Sequence, residues 1–261
     1  MKLSDLLNLA QKSLRANLLR SVLTSLGIII GVSSVITMIS IGSGAKEEVT
    51  NLIDKFGSNN LILRAQTSSR GVSMGGNSAN TLDTNDMEAL MEELPNLITA
   101  ISPEVSMSTQ ILGNNNNWLS SVTGSNNAYF LMGNWSFDSG RAFEEEELNS
   151  GSRVAVIGKT IQKKLFEDMD PLGEMIRINK VPFTIIGVLE EKGGSAWRDL
   201  DDTIIVPLKT AKQRLVGNRF PGKKIRSMTI KIKESDLVGQ AEIDIDRVMR
   251  IQHKLSANAN P

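Results

Sequence analysis

The sequence contains no cysteine, which excludes disulfides, thiol nucleophiles and cysteine metal sites. Histidine is almost as scarce. His253 is the only one, so a zinc site built on several histidines is excluded and a Ser-His-Asp triad could use only that residue. Aromatic residues are 4% of the chain, too few for a surface that stacks sugars or bases. The 29 Lys and Arg are balanced by 29 Asp and Glu, so net charge gives no reason to expect nucleic acid as a partner. Charge is also missing locally: none lies between Arg20 and Lys46.

That uncharged stretch organises the chain. Residues 21–41 read SVLTSLGIIIGVSSVITMISI, and as a helix they rise about 32 Å, the hydrocarbon thickness of a bilayer. A signal-peptide core is shorter, about 7–15 residues, and about twenty residues precede this run, so it reads as an uncleaved anchor. Lys2, Lys12, Arg15 and Arg20 lie before it, opposed only by Asp5. The basic excess places the N-terminus in the cytoplasm and the remaining residues outside. Residues 3–20 mix leucines with Lys12, Arg15 and Arg20, an amphipathic basic pattern suited to the cytoplasmic headgroup region of the lipid bilayer.

Gly27 and Gly31 form a G-x-x-x-G pair inside the span, with Ser33 and Ser34 nearby. Small residues at this spacing let a second helix approach closely, and the pair is expected to pack against other membrane helices. Beyond the span, Val49, Leu52, Ile53 and Phe56 recur at helical spacing, so the helix is expected to continue outward as a stalk ending at Gly57.

The remainder is expected to be α+β. Residues 60–64 read as a strand and the glycine-rich stretch 66–80 as a loop. A helix capped by Asp83 or Thr84 carries Met87, Leu90, Met91 and Leu94 on its apolar face and is stopped by Pro95. Residues 98–112 form a strand turning at Asn114–Asn117 into a second strand at 119–124, and 129–141 are irregular. The acidic run Glu144–Glu147 reads as a solvated helix start, since no calcium-loop pattern surrounds it. Strands are expected at 153–157, 174–179, 181–189 and 203–207, with helices at 159–166 and 209–215 and a loop at 190–202. Residues 225–233 alternate as a half-buried strand. A last helix over 241–255 places Ile243, Val248, Ile251 and Leu255 on one face, and 256–261 fray.

Several of these pieces together resemble one family. They are NLLRSVLTSLGIIIGV from Asn17, Gly42-Ser-Gly44, Gly57-Ser-Asn-Asn-Leu, Gly140-Arg-Ala-Phe143 and Val154-Ala-Val-Ile-Gly158. Leu165-Phe166 with Asp170-Pro-Leu-Gly173, Ile185-Ile-Gly-Val-Leu189, Asp201-Asp202, Pro207-Leu-Lys-Thr-Ala211 and Arg250 with His253 complete the set. The chain resembles the first membrane helix and periplasmic core domain of a MacB-type ABC transporter permease. The resemblance implies a cytoplasmic helix at 1–20, a transmembrane helix and stalk at 21–56, and a Porter-like α+β subdomain at 57–115 and 223–261. A Sabre-like α+β subdomain is inserted at 116–222. It further implies a permease without catalytic, metal or cofactor residues, paired in a homodimer in the bacterial inner membrane. ATP hydrolysis, expected on a separate ABC ATPase subunit because no P-loop domain is present, is relayed through the stalk (Val49, Leu52 and Phe56) to drive export. The further partners implied are a periplasmic adaptor and an outer-membrane channel. The family continues into three more membrane helices that this chain lacks, so it reads as an N-terminal portion that would not transport alone. The alternatives are a lipoprotein-release or signalling permease and, from another class, a membrane-anchored periplasmic binding domain or an enzyme working through His253.

Overall fold

The structure is a computed structural model that describes residues 17–56, 59–65, 82–167, 169–195 and 198–254, and for 45, 47–56, 195, 198 and 218 the backbone alone. The expected amphipathic segment at 3–20, apart from its last four residues, lies outside the described residues. So do the loop at 66–80, Leu255 and the frayed end. Two compact units are present, Met1–Asp54 and Lys55–Pro261.

The first unit is built on a single helix, α1 (Leu18–Phe56, 39 residues). Its segment Leu18–Gly44 is long and apolar enough to cross a membrane, and none of it is buried. Ile28 and Ile41 are 66% and 68% exposed. Four glycines and several hydroxyl residues would weaken such a helix in water. In hydrocarbon the cost reverses, because helical hydrogen bonding is the only way to satisfy the backbone. Thr24 Oγ1 donates to the Arg20 carbonyl at 2.9 Å and Thr37 Oγ1 to that of Ser33 at 2.8 Å, so these hydroxyls are satisfied within the helix.

In the second unit, β1 (Asn60–Arg64) is followed by α2 (Thr84–Glu93), β2 (Ile98–Gly113) and β3 (Asn116–Ser125). Then come α3 (Ala128–Met132), β4 (Phe137–Gly140), α4 (Glu145–Ser150), β5 (Val154–Ile157) and α5 (Lys159–Leu165). The hairpin β6 (Met175–Ile178) and β7 (Val181–Leu189) precedes the two-residue strands β8 (Gly194–Ser195) and β9 (Arg198–Asp199). Next are β10 (Thr203–Pro207) and α6 (Leu208–Thr210), which runs into a π-helical turn, Ala211–Leu215. Last come β11 (Ser227–Ile232) and α7 (Val238–Gln252). The unit is α+β.

Local chemistry explains the joints. Asp83 caps α2, accepting from the amides of Asn85 and Asp86 while Asp86 reaches back to the Asp83 amide. The β2–β3 hairpin turns on Asn114 and Asn115 at φ 46 and 60, values that asparagine tolerates better than most residues. The main sheet runs β1-β11-β2-β3-β10-β5-β7-β4. Strand β6 pairs with both β2 and β7, so the pairings of β2, β3, β10, β5, β7 and β6 close on themselves. Within that ring lie Ile111, Val122, Ile157, Ile176, Ile178, Phe183, Ile185 and Ile204, all at most 1% exposed and members of the main core.

The structure corrects the sequence reading in several places, among them the loop expected at 190–202, which holds β8 and β9. Residues 129–141 are not irregular: α3 and β4 form there, around Phe130, whose ring lies 5.1 Å from that of Phe137 and 5.6 Å from that of Phe143. These elements are too short to show periodicity, and a small second core formed by Phe130, Phe143, Val156, Leu189 and Ile205 holds them. The buried face of α7 is Ala241, Ile245, Val248 and Met249, whereas Ile243 and Ile251 are 65% and 72% exposed. Spacing i, i+4, i+7, i+8 beginning at an alanine was hidden by the larger isoleucines. On α2, Leu90 and Leu94 are buried as expected, but Met91 is 41% exposed.

Candidate functional site

On α1 the residues singled out by sequence are Gly27, Gly31, Val49, Leu52 and Phe56. Four residues apart, Gly27 and Gly31 share one face of the helix, and a Cβ added at either would meet no atom within 4 Å. The helix runs unbroken past Val49 and Leu52 to Phe56, and the side chains of those three lie outside the described set.

The second unit carries a cleft of about 760 Å³. Its floor is the polar face of the sheet: Ile62 of β1, Thr229 of β11, Glu104 and Ser108 of β2, and Leu119 and Ser121 of β3. Alternation along each strand places these outside while Leu61, Met228, Val105 and Val122 turn to the core. Thr229 Oγ1 donates to Glu104 Oε1 at 2.9 Å across the β11–β2 pair. One wall is Trp135, over whose ring the Lys192 ammonium sits at 4.1 Å while donating to the Gly133 carbonyl. Asp201, 3% exposed, accepts from the amides of Lys192 and Gly193 at 2.9 and 2.8 Å and so fixes the loop that carries this lysine. The cleft can offer hydrogen bonds, an aromatic wall and charges of both signs.

His253 is engaged elsewhere. Its Nε2 lies 2.9 Å from Asp86 Oδ1, joining the end of α7 to the first turn of α2. Burial pushes the Asp86 carboxyl above its ordinary value, opposed by the hydrogen bond from the Asp83 amide and by His253. Glu147 is held below its ordinary value mainly by hydrogen bonding from Arg141, whose Nη1 and Nη2 reach its two oxygens at 2.8 and 2.9 Å. Glu147 also accepts from the Glu144 amide, so the acidic run is a capped helix start. Among the described residues no group of three or more His, Asp or Glu could hold a metal ion.

The cleft was missed from sequence because its lining comes from six separated segments. A usable signal exists only in the Ser/Thr alternation of β2, β3 and β11. The helix glycines and the stalk positions could be named from sequence because their pattern is local.

The model of the family described as MacB-like periplasmic core domain matches residues 21–248. A macrolide export ATP-binding/permease protein MacB from Wolinella succinogenes is 38% identical over 255 residues, covering 97% of this chain and 38% of the relative. The protein of the same name from Azoarcus sp. is 34% identical over 245 residues, covering 94% of this chain and 36% of that one. The chain thus spans less than two fifths of the length of these curated relatives. Among solved structures, the periplasmic region of MacB from Actinobacillus actinomycetemcomitans superposes with a TM-score of 0.62 at 22% identity, over 77% of this chain and 87% of that one. The extracellular domain of the ABC-type transporter YknZ from Gram-positive bacteria gives 0.61 at 18% identity, over 76% and 96%. These two likenesses establish a shared fold, the Porter/Sabre-like α+β arrangement.

Proposed function

The chain belongs to the family of MacB-like periplasmic core domains, and on that premise we propose that it is the N-terminal portion of the permease of an ABC exporter. In this reading α1 spans the bacterial inner membrane with the N-terminus in the cytoplasm, and the α+β unit stands in the periplasm. Residues 57–115 with 223–261 are the Porter-like subdomain and 116–222 the Sabre-like one. ATP is hydrolysed outside these residues, on a separate ABC ATPase subunit. The motion passes up α1 through Val49, Leu52 and Phe56 into the α+β unit, which meets an adaptor and an outer-membrane channel. Two permeases form a homodimer, with Gly27 and Gly31 allowing close approach between membrane helices.

One observation carries this reading. A 27-residue apolar segment, Leu18–Gly44, and a continuous helix through Phe56 are joined in sequence to an α+β unit that the family matches almost throughout. A helix without a break can transmit displacement along its axis, whereas a flexible linker cannot.

The test is transplantation. Residues 21–248 replace the corresponding segment of the Wolinella succinogenes macrolide exporter, and ATP-dependent macrolide efflux is measured in cells. Efflux within about tenfold of the parent is expected. A chimera that inserts and hydrolyses ATP but exports nothing would contradict the proposal.

A further inference from the structure

A second, smaller cleft of about 590 Å³ lies away from the sheet face, lined by Gly151, Ser152, Arg153, Lys180, Val181 and Pro182 together with Arg214. No acidic residue lines it. Three elements bring its cations together. Arg153 immediately precedes β5 and is fixed by the Thr184 amide, which donates to its carbonyl at 2.9 Å. Lys180 sits in the two-residue turn between β6 and β7. Arg214 projects from the turn that follows α6.

The scaffold between them is tied down. Thr210 Oγ1 donates to the Ser152 carbonyl at 2.8 Å, and Lys209 Nζ to that of Asn149 at 2.6 Å. Lys209 also packs its stem beside Gly151, and Arg177 stands opposite Pro182 across the β6–β7 pair, so two further cations flank the cleft.

The three lining cations share one concavity and, among the described residues, have no carboxylate partner of their own. Elsewhere in the unit Arg141, Lys159, Lys163, Arg247 and Arg250 each have a carboxylate within ion-pair distance. Among the described residues Arg153, Lys180 and Arg214 have none, although carboxylates equal cations in the chain. Like charges held at one concavity repel, and the repulsion is relieved by a bound anion.

Lys180 adds an independent sign. Asn179 and Lys180 have φ 47 and 70, so both turn residues are left-handed. The second position of such a turn favours glycine strongly, so lysine there carries a conformational cost.

We propose that Arg153, Lys180 and Arg214 form a binding site for a phosphoryl oxyanion. Two guanidinium forks each grip a pair of oxygens, and the lysine supplies a mobile point charge. Free phosphate and the phosphate of a lipid headgroup share this chemistry.

The test uses the full chain in an uncharged detergent at low salt, titrated calorimetrically with inorganic pyrophosphate and, separately, with dihexanoyl phosphatidic acid below its micellar concentration. Saturable binding is expected, weakening as ionic strength rises. Arg153→Ala and Arg214→Ala should each weaken it about fivefold, the scale of one exposed charge contact. Lys180→Gly is the sharper variant. It relaxes the turn, so the thermal midpoint should hold or rise while affinity falls about fivefold. The control Arg219→Ala/Lys224→Ala/Lys233→Ala removes three charges outside the cleft, against one in each cleft variant, and should bind as the parent does. Binding of phosphatidic acid at least tenfold tighter than pyrophosphate assigns the site to lipid, and comparable binding assigns it to free phosphate; both support the site. Absence of saturation with either probe, or equal losses in the control and cleft variants, overturns it.

Discussion

Gly158→Ala and Gly239→Ala make the same chemical change and should move stability in opposite directions. Gly158 precedes α5 at φ −84, ψ 167, a conformation open to any residue, so backbone freedom is not what requires glycine there. The requirement is space. A Cβ at Gly158 would lie 2.2 Å from the Asp201 carbonyl oxygen and 2.9 Å from its carbon, both backbone atoms that no rotamer change can clear. Ordinary contact begins near 3.4 Å, so the chains must part by about 1.2 Å (3.4 minus 2.2). That movement acts on the Gly158 amide hydrogen bond to the Thr203 carbonyl, 3.0 Å, and on Asp201, which holds the amides of Lys192 and Gly193. Overpacking costs about 1–3 kcal/mol and a weakened buried hydrogen bond about 1 more. The reduced freedom of the unfolded chain returns about 0.5–1 kcal/mol, leaving a net loss of about 1–3.5 kcal/mol, centred a little above 2. Gly239 lies in α7, where an added Cβ would meet nothing within 4 Å, so alanine there should gain about 0.5 kcal/mol. Thermal unfolding of the full chain in neutral detergent, followed by tryptophan fluorescence, measures both. Trp118 is a suitable reporter because its Nε1 donates to Asp202 Oδ1 at 3.1 Å, one residue from the strained contact. The Gly158 variant should melt about 5–10 °C lower, and the Gly239 variant at or slightly above the parent. A Gly158→Ala protein as stable as the parent would refute the close-approach argument.

Two further predictions concern charge and the membrane helix. Glu147 has its carboxyl held below the ordinary value, so its contribution is present above pH 4.5 and lost as pH falls through the lowered value. Because Arg141 is 45% exposed, solvent screening limits the effect: Glu147→Gln should cost about 1 kcal/mol at pH 7 and progressively less as pH falls below 4.5, as read by urea unfolding at neutral and at acid pH. Equal losses at both would show that the ion pair is not the cause. Gly27→Leu/Gly31→Leu should lower helix association in bilayers at least fivefold, measured by energy transfer between labelled chains, whereas Ile28→Leu should leave it unchanged.

What sequence could reveal depended on distance along the chain. The long apolar helix was legible because an uncharged run is a local signal, and the Asp83 cap and the Asn114–Asn115 turn because turn and cap chemistry act over a few residues. The hairpin at 174–189 was legible for the same reason. The pairing of β6 with β2, joining Ile111 to Ile178, was not, since nothing near either residue names its partner. His253 and Asp86 are 167 positions apart, and only the fold shows that the one histidine meets a helix-capping carboxylate rather than a nucleophile. The α7 face was misread because burial followed Ala241, a residue with little hydrophobic weight, and left Ile243 and Ile251 outside. The cleft and the basic cluster share that difficulty: each is assembled from side chains whose sequence neighbours carry no pattern of their own.

The central claim is that α1 carries the α+β unit to the far side of a membrane, and the missing cysteines make it directly measurable. Single cysteines are introduced at Ser4 and at Glu146, the latter on the exposed face of α4, and spheroplasts are treated with a membrane-impermeant maleimide. The account predicts that Glu146→Cys is labelled in intact spheroplasts and Ser4→Cys only after lysis. Labelling of Ser4→Cys without lysis, or protection of Glu146→Cys until lysis, would contradict it.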